Sequence, residues 1–461
     1  MLTDSRGLEI TCSDPKALDI YESSLLDLWN YRIKAPKTLK AAFDHDADFP
    51  MAHIVRGYIM SMLESVVVRP KMLASVEHAR AHLDPAQRRE LMHADALAGL
   101  ATGNITAACA SWENILADYP HDLLALKMHH HVNFWTGRNY VIRNTVTGVF
   151  DAWDASMPGF SFVLGMMCFG LEECGEYSRA EAFGRRAIDM NGDDLWAIHS
   201  VAHVLEMQGR LDEGITLLDR DPAEWADRNP FQGHNWWHLA LFALEKGDYD
   251  YVLKIYDERV ITSNTEFFLD IQNGASLLKR LELQGVNVGG RWDGLTEYAE
   301  KQIGDHVLSF TDLHSCLALA ANKQHDVVEK YLVSLKSFAA TPDNYSASIT
   351  NSVVIPMCEG LVAFESGDFD AALARLWPLR DQWSAIGGSH AQRDLFTQIL
   401  IDAAIGAKAY GRAQTLLSQR LTLRPNSVGS WNKYADVLKA AGDTEHAQRA
   451  AIAAIAAQNI H

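Results

Sequence analysis

The 461-residue chain is 48% hydrophobic and 22% charged with a formal charge of −18, a globular composition that excludes a disordered polymer and disfavours a nucleic-acid backbone or an anionic membrane surface as partner. The opening MLTDSRGLEI carries Asp4, Arg6 and Glu9 where a secretory signal would be apolar, and no apolar run approaches the ~20 residues of a membrane span. A cytoplasmic protein is expected, and its six scattered cysteines, without a C-x-x-C pair, suit reduced thiols packed between helices.

Alternating strand patterns are nearly absent, while apolar residues recur at i, i+3 and i+4 between short Gly, Asp, Asn and Pro breaks. The chain therefore reads as all-α. Helices are expected from Asp14 to Tyr31, Lys37 to His45, Pro50 to Leu63 and Arg69 to Leu83, the last ending at an Asp-Pro that starts its successor. Residues 1–85 are expected to cap a helical-hairpin array over 86–461. In that array a glycine turn recurs at Gly103, Gly137, Gly175, Gly209 and Gly247, spaced by 34, 38, 34 and 38 residues. A looser set follows at Gly285, near Lys323, at Gly367, near Lys408 and at Gly442. A period of this size is the signature of a solenoid, in which each hairpin buries its apolar face only against its neighbours.

The last unit, with Trp431, Tyr434, Ala435 and Leu438 before Gly442 and then Ala447, Ala451 and Ala454, closely resembles the tetratricopeptide consensus. Ala108, Trp112 and Pro120 hold the matching places in the Gly103 unit. Through HSVAHVLEMQGRLDEG, HNWWHLALFALEKGDY, TDLHSCLALA and GGSHAQRDLFTQ, almost the whole chain resembles the tetratricopeptide repeat protein 38 family. The resemblance implies a right-handed superhelix, able to close toward a ring, and carries no established activity with it.

It also implies a direction for each first helix, whose second, fifth, ninth and twelfth residues line the concave surface. With Gly209 as the fifteenth residue, His199, His203 and Glu206 face inward. With Gly247, His234 and Trp237 do so and His238 leans toward the adjacent hairpin. With Gly137, Lys127 and His131 are inward while His130 packs. Asp312 and His314 fall in the same region of a later helix, and His390, Arg393 and Asp394 open another. Residues about 200 apart, such as His199 and His390, are expected to face one another across one cavity in a superhelix of this repeat length.

This set is expected to bind a small organic ligand, with enzyme or binder left open; the chemistry its side chains offer is proton transfer. Imidazole titrates near neutrality, and Glu206 or Asp312 would fix its tautomer. His199, His203, Glu206, His234 and His314 are the candidate catalytic residues, of hydrolase or lyase type. His131, Trp237, His238, Asp312, His390, Arg393 and Asp394 are candidate ligand contacts, Arg393 as a clamp for a carboxylate. No cofactor is expected, with a divalent metal on the concave histidines as the secondary possibility. There is no H-E-x-x-H, and only Glu90 to His93 forms a Glu-x-x-His. The His129–His131 run diverges around its helix and cannot chelate as a triplet. G-x-S-x-G, P-loop and dinucleotide motifs are lacking. A small organic ligand is the expected partner, a peptide in the groove the alternative, and a homodimer is plausible.

Overall fold

Each of the ten turns counted in the sequence is closed by a left-handed residue. Eight are glycines, Lys323 and Lys408 stand in the other two, and their φ values run from 56° to 88°. One residue further on, an N–H returns to a carbonyl five residues back, as in Arg210 to Leu205 (2.9 Å), Asp248 to Ala243 (3.0 Å) and Gln324 to Leu319 (2.9 Å). This is the Schellman closure, which satisfies the carbonyls a helix end leaves free.

In this computed structural model, which describes residues 1–261, 267–342 and 344–458, the turns join ten helical hairpins. Their first helices include Arg88–Thr102, Leu123–Trp135, Phe160–Glu172, Leu195–Gln208 and Phe231–Glu245. Later come Phe268–Glu282, Ser309–Ala321, Ile355–Glu365, His390–Gly406 and Val428–Ala440. The expected all-α solenoid is the observed fold. Two further hairpins, Pro15–Trp29 with Ala35–Ala42 and Pro50–Ser61 with Arg69–Ala81, precede them. A small antiparallel ribbon, Leu2–Thr3 with Glu9–Ile10, opens the chain. Two residues per strand are too few to show alternation. The ribbon is tied down by Arg89, which donates to the Glu9 carbonyl at 2.9 Å.

The helical run over 345–365 corrects the expectation that no stretch is long and apolar enough for a bilayer. It passes by length and composition, with mean hydropathy 1.4, although half of it is buried inside the fold. Pro356 would break an α-helix, but a π-helical turn at Thr350–Val354 precedes it and absorbs the missing donor.

Segments some 200 residues apart then meet, because one superhelical turn rests on the next. Arg32 reaches Asp193 at 2.6 Å, and Val66 donates to Asp305 at 2.8 Å. The His390 backbone donates to Glu173 at 2.9 Å, and Arg424 to Glu206 at 2.7 Å. A Cβ on Gly137 would stand 1.6 Å from the Ser384 carbonyl oxygen, and one on Gly387 2.3 Å from that of Trp135. The turns touch backbone to backbone. The concave face is consequently packed rather than open: every residue from Leu195 to Met207, and from Phe268 to Leu281, is buried.

Candidate functional site

Asp194 caps the helix Leu195–Gln208, accepting from Trp196 N (3.0 Å) and Ala197 N (3.2 Å). The cap fixes the phase that stacks His199 and His203, four apart, on one face. Helix Phe231–Glu245 brings His234 and His238 alongside in the same way. The four imidazoles form one buried cluster, with ring centroids 4.4 Å apart for His199–His203 and His203–His238 and 5.0 Å for the His234 contacts with His199 and His238. His199 Nε2 and His203 Nε2 lie 3.0 Å apart, close enough for an N–H on either ring to bridge them.

The outer nitrogens are held from behind. His234 Nδ1 is 2.7 Å from Asn273 Oδ1 and His238 Nδ1 is 2.9 Å from Glu206 Oε2. His203 Nδ1 is 3.5 Å from Glu172 Oε2. Trp237 stacks on His234 at 5.1 Å and 11°, and Phe169 on His199 at 5.7 Å. Burial drives His199 and His238 well below the usual imidazole range and His234 down to about 4. Burial would also lower His203, but the Glu172 carboxylate facing it at 3.5 Å outweighs that and raises the imidazole. Glu172 itself is raised by burial, and neither of its oxygens has a hydrogen-bond donor.

A cavity of about 100 Å3 opens on one side of the cluster, with His199 and His234 in its wall. Tyr31, Phe134, Trp135, Trp196, Phe231 and Phe268 give the rest of the wall its aromatic character. The Lys127 amine faces it, 5.5 Å from the Tyr31 ring centroid and 5.1 Å from that of Trp196, with no hydrogen-bond partner. Burial lowers this amine to about 8, although Asp194 opposes the shift. Burial raises Asp194 to about 6, against the pull of Lys127. His131 also lines the cavity, its Nε2 3.0 Å from Glu64 Oε1.

His199, His203, Glu206, His234, Trp237 and His238 are thus brought together, with His131 at the cavity rim. His238, expected to lean away, completes the cluster. Asp312 is a correction: it turns from the concave face to accept from Tyr331 OH and to meet His306 Nδ1, both at 2.7 Å. His306 in turn meets Ser334 Oγ at 2.8 Å. His314 is a second correction, because it stays out of the cluster. Its Nδ1 donates to the Phe310 carbonyl at 2.7 Å, and its ring packs on Phe310 and Phe396.

His390, Arg393 and Asp394 do reach in from the C-terminal arc, but to a different cavity of about 300 Å3 that they line with Arg420 and Arg424. His390 and Arg393 engage Glu173, not His199. Asp394 takes a two-pronged bond from Arg420, both contacts 2.8 Å.

Sequence reasoning missed Glu172, Asn273 and Arg424, and left Lys127 out of the site. Glu172 stands three residues before Gly175, as Glu206 does before Gly209, so its inward phase was readable. Asn273 and Arg424 carry no such signal.

No family model matches the chain. Among solved structures it is similar to the "Human IFIT1 dimer with m7Gppp-AAAA", at 13% identity over 98% of this chain and 96% of that chain, with a TM-score of 0.41. A second, the "Human IFIT1 dimer with PPP-AAAA", aligns at 12% identity over 97% and 95%, also with a TM-score of 0.41.

Proposed function

We propose that this chain binds a small organic ligand in the aromatic cavity between Lys127 and the histidine cluster, and that the cluster moves a proton to or from it in hydrolase- or lyase-type chemistry. The observation that carries this reading is the Lys127 amine. Buried, without a hydrogen-bond partner and offset only by the charge of Asp194 and by two aromatic rings, it costs stability unless something anionic or carbonyl-bearing meets it directly. The volume suits about one ring, the scale at which a closed apolar cavity takes up benzene. His199 stands in the wall and contacts His203, which faces Glu172. That chain of contacts would carry a proton between the buried carboxylate and the cavity.

The alternative, a scaffold holding a peptide in the concave groove, requires the packed inner face to open along its length. Closure therefore favours the small molecule. The resemblance to the tetratricopeptide repeat protein 38 family, carried by the histidine-bearing stretches, suits either occupant.

Native mass spectrometry of the purified chain, followed by denaturing release, tests the reading. A retained organic mass of aromatic size with a carboxylate or carbonyl is expected, and Lys127→Met should lose it. Because that variant also removes an unpartnered buried amine, it should be at least as stable as the parent. A retained ligand in Lys127→Met, or a large loss of stability, would make Lys127 a structural residue.

A further inference from the structure

We infer that His199, His203, His234 and His238 bind one divalent transition-metal ion, zinc by preference, through their Nε2 atoms. This site shares residues with the function proposed above but needs no ligand in the cavity.

Three features point to it. The first is convergence: one ligand atom from each of the four residues lies within 4.8 Å of the others, and all four side chains are buried. Tetrahedral Zn–N bonds of roughly 2.0–2.1 Å would separate the ligand nitrogens by about 3.4 Å. The His199–His203 Nε2 distance of 3.0 Å falls just inside that value, so modest ring rotations complete the set.

The second is the outer shell. With Nδ1 of His203, His234 and His238 facing Glu172, Asn273 and Glu206, each ring is left to offer Nε2 to the centre. An oxygen acceptor behind each imidazole is how proteins fix the tautomer and raise the basicity of a metal-binding histidine.

The third is charge. Glu172 is fully buried and makes no closer contact to a donor than the 3.5 Å from His203 Nδ1, whereas Glu206 has Arg424 and Glu173 has Arg393. A buried carboxylate without a donor is costly, and a dication one imidazole away supplies the missing positive charge. A closed set of four imidazoles leaves no open position, the pattern of a structural rather than a catalytic ion. The cation then takes the His199 and His203 Nε2 positions, which removes these two rings from the proton path proposed above and leaves ligand binding beside Lys127 untouched.

The full chain, stripped with a chelator and dialysed, should take up one equivalent of Co2+ and show the intense visible absorption of four-coordinate cobalt, which Zn2+ then displaces. His203→Gln and His238→Gln should each lower zinc retained after desalting at least tenfold. Glu172→Gln, which touches no metal, should weaken zinc about 10–100-fold. His82→Gln, in the exposed Asp48–His78–His82 cluster, should keep the full equivalent. Weak six-coordinate cobalt spectra, less than a tenth of an equivalent of zinc in the folded parent, or zinc undiminished in His238→Gln would overturn the assignment. Should the histidine variants fail to fold, the parent's cobalt spectrum decides alone. His238 does not line the aromatic cavity, so His238→Gln should lose zinc and keep the organic ligand, while Lys127→Met does the reverse. Ligand binding and metal binding therefore fail separately, whereas a bound ion would exclude the proton path through His199 and His203.

Discussion

Asp122 illustrates how a single side chain ties this solenoid together. It caps the helix Leu123–Trp135 through Ala125 N at 2.9 Å, and it holds Arg89 at 2.7 Å and His93 at 3.0 Å. Burial alone would raise its carboxyl, but the His93 contact, with Arg89 and the cap, overcomes that and holds it far below the usual carboxylate range. A depressed folded pKa contributes stability that is present above the unfolded value near 3.9 and lost as pH falls below it. Asp122→Asn should cost about 3–5 kcal/mol near neutrality, because Arg89 stays buried without its counter-charge. Urea unfolding from pH 7 down to pH 2 should show the gap between parent and variant closing only below about pH 4; a gap independent of pH would rule out the ionic account. At this scale the sequence was partly legible. Helical phase put His199, His203 and Glu206 on the inner face, and the same rule applied to Glu172 would have added it. The rule failed for Asp312, because His306 and Tyr331 offer that carboxylate partners that no spacing within its own helix reveals.

At the scale of the hairpin, turn chemistry made the fold readable without a family model. A chain that must reverse after each first helix needs a left-handed residue there, and glycine supplies it at little steric cost. Lys323 and Lys408 show that the repeat enforces the conformation even where the side chain resists it, with φ of 57° and 56°. For an L-residue this conformation costs roughly 1–2 kcal/mol. Lys323→Gly should therefore stabilise the chain, by about 0.5–1 kcal/mol once the greater unfolded-state freedom of glycine is subtracted. Chemical denaturation of the single variant measures this, and an unchanged or lowered midpoint would mean that the lysine makes compensating contacts. What turns could not convey was that central first helices such as Leu195–Gln208 and Phe268–Glu282 are buried on every side. Amphipathic patterning distinguishes one apolar face from one polar face, whereas Leu195–Gln208 meets helices of its own turn on one side and the C-terminal arc on the other. Its histidines and Glu206 are interior polar groups of a packed molecule, not the lining of an open groove.

For the molecule as a whole, the decisive feature is the stacking of one superhelical turn on the next, which depends on glycines that the sequence does not distinguish from the others. Gly137 and Gly247 occupy equivalent turns with φ of 67° and 77°. A Cβ on Gly247 would meet nothing within 4 Å, while one on Gly137 would stand 1.6 Å from the Ser384 carbonyl. Gly247→Ala should then cost only the conformational term, about 1–2 kcal/mol. Gly137→Ala adds backbone overpacking of roughly 1–3 kcal/mol and should also loosen the closure that brings Arg424 to Glu206 and His390 to Glu173. Equilibrium unfolding of the two variants separates the terms, and hydrogen exchange locates them. Extra exchange in Gly137→Ala should appear on both sides of the seam, around 134–138 and 383–388, and in Gly247→Ala only within its own hairpin. Equal costs and equally local exchange would mean that the two turns slide freely past one another. In that case the packed interior would be one state of an openable groove, and the peptide reading would regain its footing. Unequal costs would fix the cavity beside Lys127 as a permanent feature of a closed superhelix: the histidines come from two consecutive hairpins, but only the complete turn adds Tyr31 and Gln392 to the cavity wall.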